Sequence, residues 1–154
     1  MKYEFSIMTQ EQAENIAFNW HYESEYSFYD MEADKEDFDE FLNPGTRGNS
    51  MFAVTSGDEL IAFFSMIKVS NHTFDIELGM RPDLTGRGKG GGFLKAAMEF
   101  VKAEYEAGKL TLSVAKFNQR AIKAYRKMGF IDGETFMQDT NGSTFEFLKM
   151  EYEY

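Results

Sequence analysis

The residues best suited to chemistry in this sequence form one short run, Gly86-Arg87-Gly88-Lys89-Gly90-Gly91-Gly92. Glycines admit positive φ and let a ligand come close to the main chain. A strongly patterned helix follows at once, and a helix opens with N–H groups that have no partner inside it. With the cations of Arg87 and Lys89 added, such a turn can cradle a phosphate or a pyrophosphate. Two familiar nucleotide patterns fit badly. Gly86, Gly88 and Gly91 spell G-x-G-x-x-G, but they lie mid-chain after several antiparallel strands, and the strand after the helix ends Val114-Ala115-Lys116, with no acid to hold a ribose. A P-loop needs Ser or Thr after its Gly-Lys, and Gly90 stands there instead. A pyrophosphate-bearing cofactor held outside these two folds remains.

The elements that must position this turn are readable on both sides of it. Phe74, Ile76 and Leu78 alternate along a strand that Arg81-Pro82-Asp83-Leu84 ends. Leu94, Ala97, Met98, Val101 and Tyr105 share one face of a helix over residues 93–107, which Gly108 is expected to close. Leu110, Leu112 and Val114 alternate in a further strand. Asn118 is placed to cap a second helix with Ala121, Ile122, Tyr125 and Met128 inward, ended by Gly129.

Upstream, residues 2–8 read as a strand, and Thr9 with Gln12 has capping-box spacing ahead of the stripe Ala13, Ile16, Ala17, Trp20. Residues 21–30 are aromatic and acidic, without a period, and read as a loop or broken helix. Residues 34–42 suggest a short helix with Phe38, Phe41 and Leu42 buried, stopped by Asn43-Pro44-Gly45 and followed by a polar turn to Ser50. Residues 51–55 and 60–69 form a hairpin pattern, and residues 130–138 and 144–152 another around Asp139-Thr140-Asn141-Gly142. The order describes an α/β (α+β) mixed sheet with helices on it, with one domain expected over residues 1–154.

Composition narrows the partners. The chain of 154 residues carries 26 acidic and 16 basic side chains, a formal charge of −10. That field disfavours nucleic acid and anionic membrane surfaces and favours the approach of a cationic or amine substrate. There is no cysteine, so disulfides, thiolate nucleophiles and cysteine-metal sites are excluded, and His21 and His72 are too isolated in sequence to suggest a metal. The start, Met1-Lys2-Tyr3-Glu4-Phe5, lacks the apolar run of a signal peptide, and no stretch approaches the roughly 18 apolar residues of a membrane helix. A cytoplasmic protein is expected.

Two segments together resemble the GCN5-related N-acetyltransferase (GNAT) superfamily. Its glycine motif, Q/R-x-x-G-x-G/A, is matched best in the register that places Thr85 at the Gln/Arg position and continues through Gly86, Arg87, Gly88, Lys89 and Gly90, with Phe93 and Leu94 at the apolar helix positions. Starting from Arg87, through Gly90 and Gly92, also fits the letters but shifts the apolar pair. Thr85 departs from the motif, a hydroxyl standing where a long side chain is usual. The second signature, N-x-x-A-x-x-x-Y-x-x-x-G-F, is matched at every spaced position from Asn118 through Ala121, Tyr125 and Gly129 to Phe130.

The resemblance implies a sheet with helices on both faces, whose fourth and fifth strands splay apart around the pantetheine arm of acetyl-CoA. It implies a cofactor site made of Leu78, Gly79, Met80, Thr85, Gly86, Arg87, Gly88, Lys89, Gly90, Gly91, Asn118 and Tyr125, without a metal. Gly79 suits a bulge that frees backbone groups, or plain accommodation of a neighbour. The Met80 N–H would stabilise the thioester oxygen. Tyr125 is implied as general acid toward the leaving thiolate, and Glu77, on the splayed strand and alternating away from Ile76 and Leu78, as a candidate base. Tyr22, Tyr26, Phe28 and Tyr29, with His21, Glu23, Glu25 and Asp30, would cover the acceptor side. The implied acceptor is a small primary amine or a protein N-terminal amine. A non-catalytic acyl-CoA sensor and a longer-chain acyltransferase are the alternatives, and a homodimer through the C-terminal hairpin is a further expectation.

Overall fold

The computed structural model describes residues 2–88 and 90–154. Seven strands form one sheet in the order β1-β2-β3-β4-β5-β7-β6. They are β1 (Glu4–Ile7), β2 (Met51–Ser56), β3 (Glu59–Ser70), β4 (Thr73–Met80), β5 (Lys109–Ala115), β6 (Ile131–Thr140) and β7 (Ser143–Glu153). Every neighbouring pair is antiparallel except β4–β5. That parallel step follows from the long connection through α4 (Gly90–Tyr105), since a tight hairpin cannot join parallel strands.

Helices cover both faces. On one face α4 and α5 (Gln119–Lys127) bury Leu94, Ala97, Met98, Val101 and Ile122 against Phe64, Ile76, Leu110, Leu112 and Met150. On the other, α1 (Gln10–Asn19) and α2 (Lys35–Leu42) bury Ala13, Ile16, Ala17 and Phe41 with Trp20 against Ala53 and Phe63. This second layer spans only part of its face, and the uncovered remainder is a cleft.

Local sequence chemistry sets most boundaries. Thr9 accepts from the Gln12 N–H while the Gln12 side chain accepts from the Thr9 N–H, which completes the capping box of α1. The Asn118 side chain accepts from the Ala121 N–H and starts α5. Residues 43–50 depart from the expected polar turn. Asn43 stops α2 and at once caps a one-turn helix, α3 (Pro44–Arg47), by accepting from Gly45 and Thr46, with proline in the first turn where its missing N–H is harmless. Arg47 is thereby buried, donating to the Phe41 carbonyl at 2.6 Å and to the Gln10 side chain at 2.7 Å. At the end of α4 the left-handed residue is Glu106 rather than Gly108. Gly108 instead donates to the His72 carbonyl at 2.7 Å. Tyr105, expected inside, is 39% exposed and meets Phe74 and Phe100 edge-on.

The feature that positions everything else is the end of the β4–β5 ladder. Only Thr73↔Lys109, Phe74↔Leu110 and Asp75↔Thr111 pair. The Thr111 hydroxyl donates to the Asp75 carboxylate at 2.7 Å at the last paired position. Beyond it the strands splay, leaving the tops of both without a partner between them. On its other side β4 stays in unbroken register with β3 from Asp75 to Met80. No bulge occurs at Gly79. Its missing side chain is filled by the ring of Phe63, whose Cε1 lies 2.1 Å from where a Cβ would stand.

Gly79→Ala would force that ring, and its neighbours Trp20 and Phe41, out of place. We expect a loss of about 1–3 kcal/mol in unfolding free energy, read from the urea midpoint. An unchanged midpoint would show that Phe63 can turn aside freely.

Candidate active site at the strand fork

The fork opens into a cleft of about 590 Å³. Its floor is the uncovered face of β3, β4 and β5, which presents Ser65, Asp75, Glu77, Gly79 and Ser113. Alternation along β4 sends Ile76 and Met80 to the core and Glu77 to the cleft, as expected from the sequence. One wall is α2, through Asp37 and Glu40. Another is the start of α5, through Asn118, Arg120, Ala121 and Tyr125. The roof is the aromatic segment of residues 21–30, which folds as a 3-10 stretch over Ser24–Tyr29 and lays Tyr22, Tyr26, Phe28 and Tyr29 against the cleft.

Backbone polarity at the fork can be read from two bonds. The Arg81 N–H donates to the Ile61 carbonyl at 2.8 Å, so Arg81 bonds toward β3. Bonding direction alternates along an antiparallel ladder, so Leu78 and Met80 direct their N–H and C=O groups away from β3, into the splay. The Met80 carbonyl indeed accepts from the Tyr22 hydroxyl at 2.6 Å. The Met80 N–H therefore faces the fork, where an acyl oxygen would need a donor. Across the gap, the Asn118 side chain donates to the Tyr29 hydroxyl at 3.1 Å while capping α5.

The described residues of the glycine turn include two in the left-handed region. Gly86 and Gly88 have φ of +70° and +74°, a region in which side chains are disfavoured. At Gly90 and Gly91, at the start of α4, a Cβ would meet nothing within 4 Å. Arg87 is exposed beside them. The Thr85 hydroxyl is engaged locally, donating to the Pro82 carbonyl at 2.7 Å, and does not replace the longer side chain of the motif. Lys89 lies outside the described residues.

Two titratable groups at the fork are strongly shifted. Burial pushes the Tyr125 phenol above its ordinary pKa of 10.0, and the nearby Tyr29 and Glu77 add to the shift. It stays protonated at any physiological pH and can only give a proton away. Burial also raises Glu77 above its ordinary 4.5, with Asp37 and Asp75 adding repulsion. Glu77 is at the same time exposed where it lines the cleft.

Sequence reasoning missed several of these groups. Asp37, Glu40 and Asp75 line the cleft, and none of them, nor Glu77, forms an ion pair among the described residues. Glu23 and Glu25, expected over the acceptor, are exposed and do not line it, whereas Asp30 does. His21 is not isolated in space. Its Nδ1 is 3.3 Å from both Asp30 and Glu32, its Nε2 is 3.0 Å from the Phe18 carbonyl, and Asp30 also accepts from the Tyr22 N–H at 2.8 Å.

The sequence profile of the Acetyltransferase (GNAT) family matches residues 15–130. The chain belongs to the GNAT acetyltransferase family. No curated protein matches this sequence. Among solved GNAT structures, an acetyltransferase from Bacillus anthracis superposes with a TM-score of 0.75 at 15% identity, over 99% of this chain and 95% of that one. The spermidine N-acetyltransferase from Vibrio cholerae in complex with CoA and spermine superposes with a TM-score of 0.74 at 16% identity, over 98% and 95%. At these identities the likeness is one of fold, and it includes the sheet with its parallel β4–β5 step. No helix among the described residues is long and apolar enough to cross a membrane.

The His21 pin makes the roof of this GNAT cleft sensitive to pH. The hydrogen bond to Asp30, then the Phe18 carbonyl and the Glu32 charge, raise His21 above its ordinary 6.5. Stabilisation from this pin is fully present below about 6.5 and is lost as pH rises through the raised value. We expect an NMR titration of His21 to give a pKa above 6.5, with proteolysis within residues 21–30 accelerating at higher pH. A His21 pKa at or below 6.5 would remove the pin.

Proposed function

We propose that this GNAT protein moves an acetyl group from acetyl-CoA to a primary amine of a small polycationic molecule, by direct attack within a ternary complex. The observation that carries this reading is the unpaired acidic lining around the fork. Asp37, Glu40, Asp75 and Glu77 face one cleft and form no ion pair among the described residues, although Arg47 and Arg120 also line it. Asp37 is itself raised above its ordinary 3.8, first by burial and then by Asp34, Glu40 and Glu36. Such a cluster is self-repelling and is relieved by a ligand carrying more than one ammonium group. The Vibrio cholerae neighbour, solved with CoA and spermine, is consistent with this choice. A small acceptor suits a cleft that residues 21–30 roof over and α2 walls in.

The residues present fit acetyl-CoA. The amides at the glycine turn and at the start of α4 would hold its pyrophosphate, and the fork amides of Leu78 and Met80 its pantetheine arm. When bound, it supplies an acetyl thioester as electrophile and a thiolate as leaving group. The chain does the rest. Glu77, ionised, takes a proton from the acceptor ammonium, directly or through a water, because a primary amine near pKa 10.4 arrives charged. Its raised pKa makes it a better base than an ordinary carboxylate. The Met80 N–H meets the negative charge that develops on the acyl oxygen. Tyr125 gives its proton to the departing sulfur and is restored by the second proton that the nitrogen sheds as the amide forms, directly or through a water.

Titration with acetyl-CoA followed by a free-thiol assay over monoamines, diamines and longer polyamines tests the reading. We expect kcat/KM to climb with the number of ammonium groups, and equal turnover of monoamines would sink the polycation assignment. Tyr125→Phe is expected to lower kcat by about 10²-fold with little change in acetyl-CoA affinity, the lower end of what general acid–base catalysis contributes. A variant that binds poorly but turns over normally would contradict its role. Asp37→Asn is expected to raise KM for a diamine by about tenfold, equivalent to about 1.4 kcal/mol. The KM of a monoamine should stay put, and an equal change for both would place Asp37 outside the acceptor site.

A further inference from the structure

Arg120, the second residue of α5, touches both halves of the site. The face of its guanidinium stacks on the Tyr26 ring, 4.2 Å from the centroid. Its Nη1 lies 2.9 Å from where a Cβ on Gly86 would stand, so this glycine turn leaves out a side chain at the point where the arginine enters. Arg120 also lines the cleft. Among the described residues it has no carboxylate partner, although Arg81 and Arg126 each take an aspartate, Asp83 and Asp132. In a chain of net charge −10, an arginine kept free of acids beside a left-handed glycine turn is reserved for an anion that arrives from outside. Stacking occupies only the flat face of a guanidinium and leaves its N–H edge available for phosphoryl oxygens.

We propose that Arg120 binds a phosphate of acetyl-CoA at the Gly86 turn with its edge while its face seats Tyr26, so that the coenzyme positions the roof of the acceptor cleft. The assignment rests on the acetyl-CoA reading. Tyr26 belongs to the same 3-10 stretch as Tyr29, which is bonded to Asn118, and follows closely on Tyr22, which is bonded to the Met80 carbonyl. A phosphate that fixes the guanidinium thereby fixes the ring stacked on it and the segment carrying that ring. Acceptor binding is strengthened once the coenzyme is in place. The two contacts are separable by substitution. A lysine at position 120 keeps a charge for the phosphate but has no planar face, and Tyr26→Leu removes the face partner and spares the charge.

The test uses the full chain with two acyl donors, acetyl-CoA and S-acetylpantetheine, which carry the same thioester but differ in that the second has no phosphate. For Arg120→Ala we expect donor KM to rise about tenfold or more with acetyl-CoA, the loss of a charged hydrogen bond, and to stay unchanged with S-acetylpantetheine. Tyr26→Leu should leave donor KM alone and raise amine KM, and Arg120→Lys should resemble Tyr26→Leu more than Arg120→Ala. A change in donor KM that is the same for both donors, or absent, overturns the phosphate contact. An unchanged amine KM in Tyr26→Leu and Arg120→Lys overturns the coupling. Should the wild-type chain bind no acetyl-CoA by calorimetry, the acetyltransferase reading itself falls and takes this proposal with it. Normal acetyl-CoA binding with a silent Arg120→Ala refutes the proposal alone.

Discussion

Three residue pairs of parallel ladder hold β4 to β5, and the rest of the site exists because the ladder stops there. A continued sheet would bury the Leu78 and Met80 amides against β5 and leave no slot for an extended ligand. The stop is enforced from three sides. The Thr111–Asp75 hydrogen bond closes the base of the fork. Tyr22 occupies the Met80 carbonyl on one prong, and Asn118, at the root of α5, stands at the other. The opposite edge of β4 is meanwhile locked to β3 without a register shift as far as Met80. The splay is therefore a rigid opening, and the amides facing it are set before any ligand arrives, the condition under which fixed dipoles act best on developing charge.

The second organising constraint is electrostatic. Gathering carboxylates without cationic partners is unfavourable, yet the cleft does so on α2 and β4. Desolvation, with the charges of Asp37 and Asp75 added, raises Glu77, and a cationic ligand would relieve the repulsion. The two arginines that also line the cleft are kept off these carboxylates. The buried Arg47 donates to a carbonyl and an amide oxygen, and Arg120 faces the glycine turn.

Much of this was legible in the sequence wherever the determining contacts are local. Thr9 with Gln12 and Asn118 ahead of Ala121 each carry their geometry within a few residues and behave as their spacing predicts, whereas the helix expected from Phe93 starts at Gly90 and takes the last three glycines of the run into its first turn. Tyr125 and Glu77 also fall on the faces that periodicity assigned. What escaped depends on distant partners. Asp37 and Glu40 on a short acidic helix look like any solvated face until α2 is laid beside β4. Gly79 could equally have marked a bulge, because the deciding neighbour, Phe63, is on another strand. Asn43-Pro44-Gly45 reads from composition as a helix stop and a polar turn, whereas in the structure Asn43 also caps α3, and the burial of Arg47 requires Gln10 on α1. Gly108 was read as a helix stop from composition, while the close approach of His72 is what uses it.

The outer edge of the sheet has a consequence of a different kind. β6 is a terminal strand of ten residues, nearly all exposed, with Ile131 and Met137 open to solvent. Such a strand would ordinarily invite a second chain to extend the sheet. Here its register with β7 shifts between Asp132 and Thr135, and Gly133 packs against the Lys149 backbone where a Cβ would be 3.1 Å from the carbonyl oxygen. Asp132, Glu134 and Asp139 add like charge along the same strand. An irregular border carrying charge is of the kind that resists self-templated growth into aggregates.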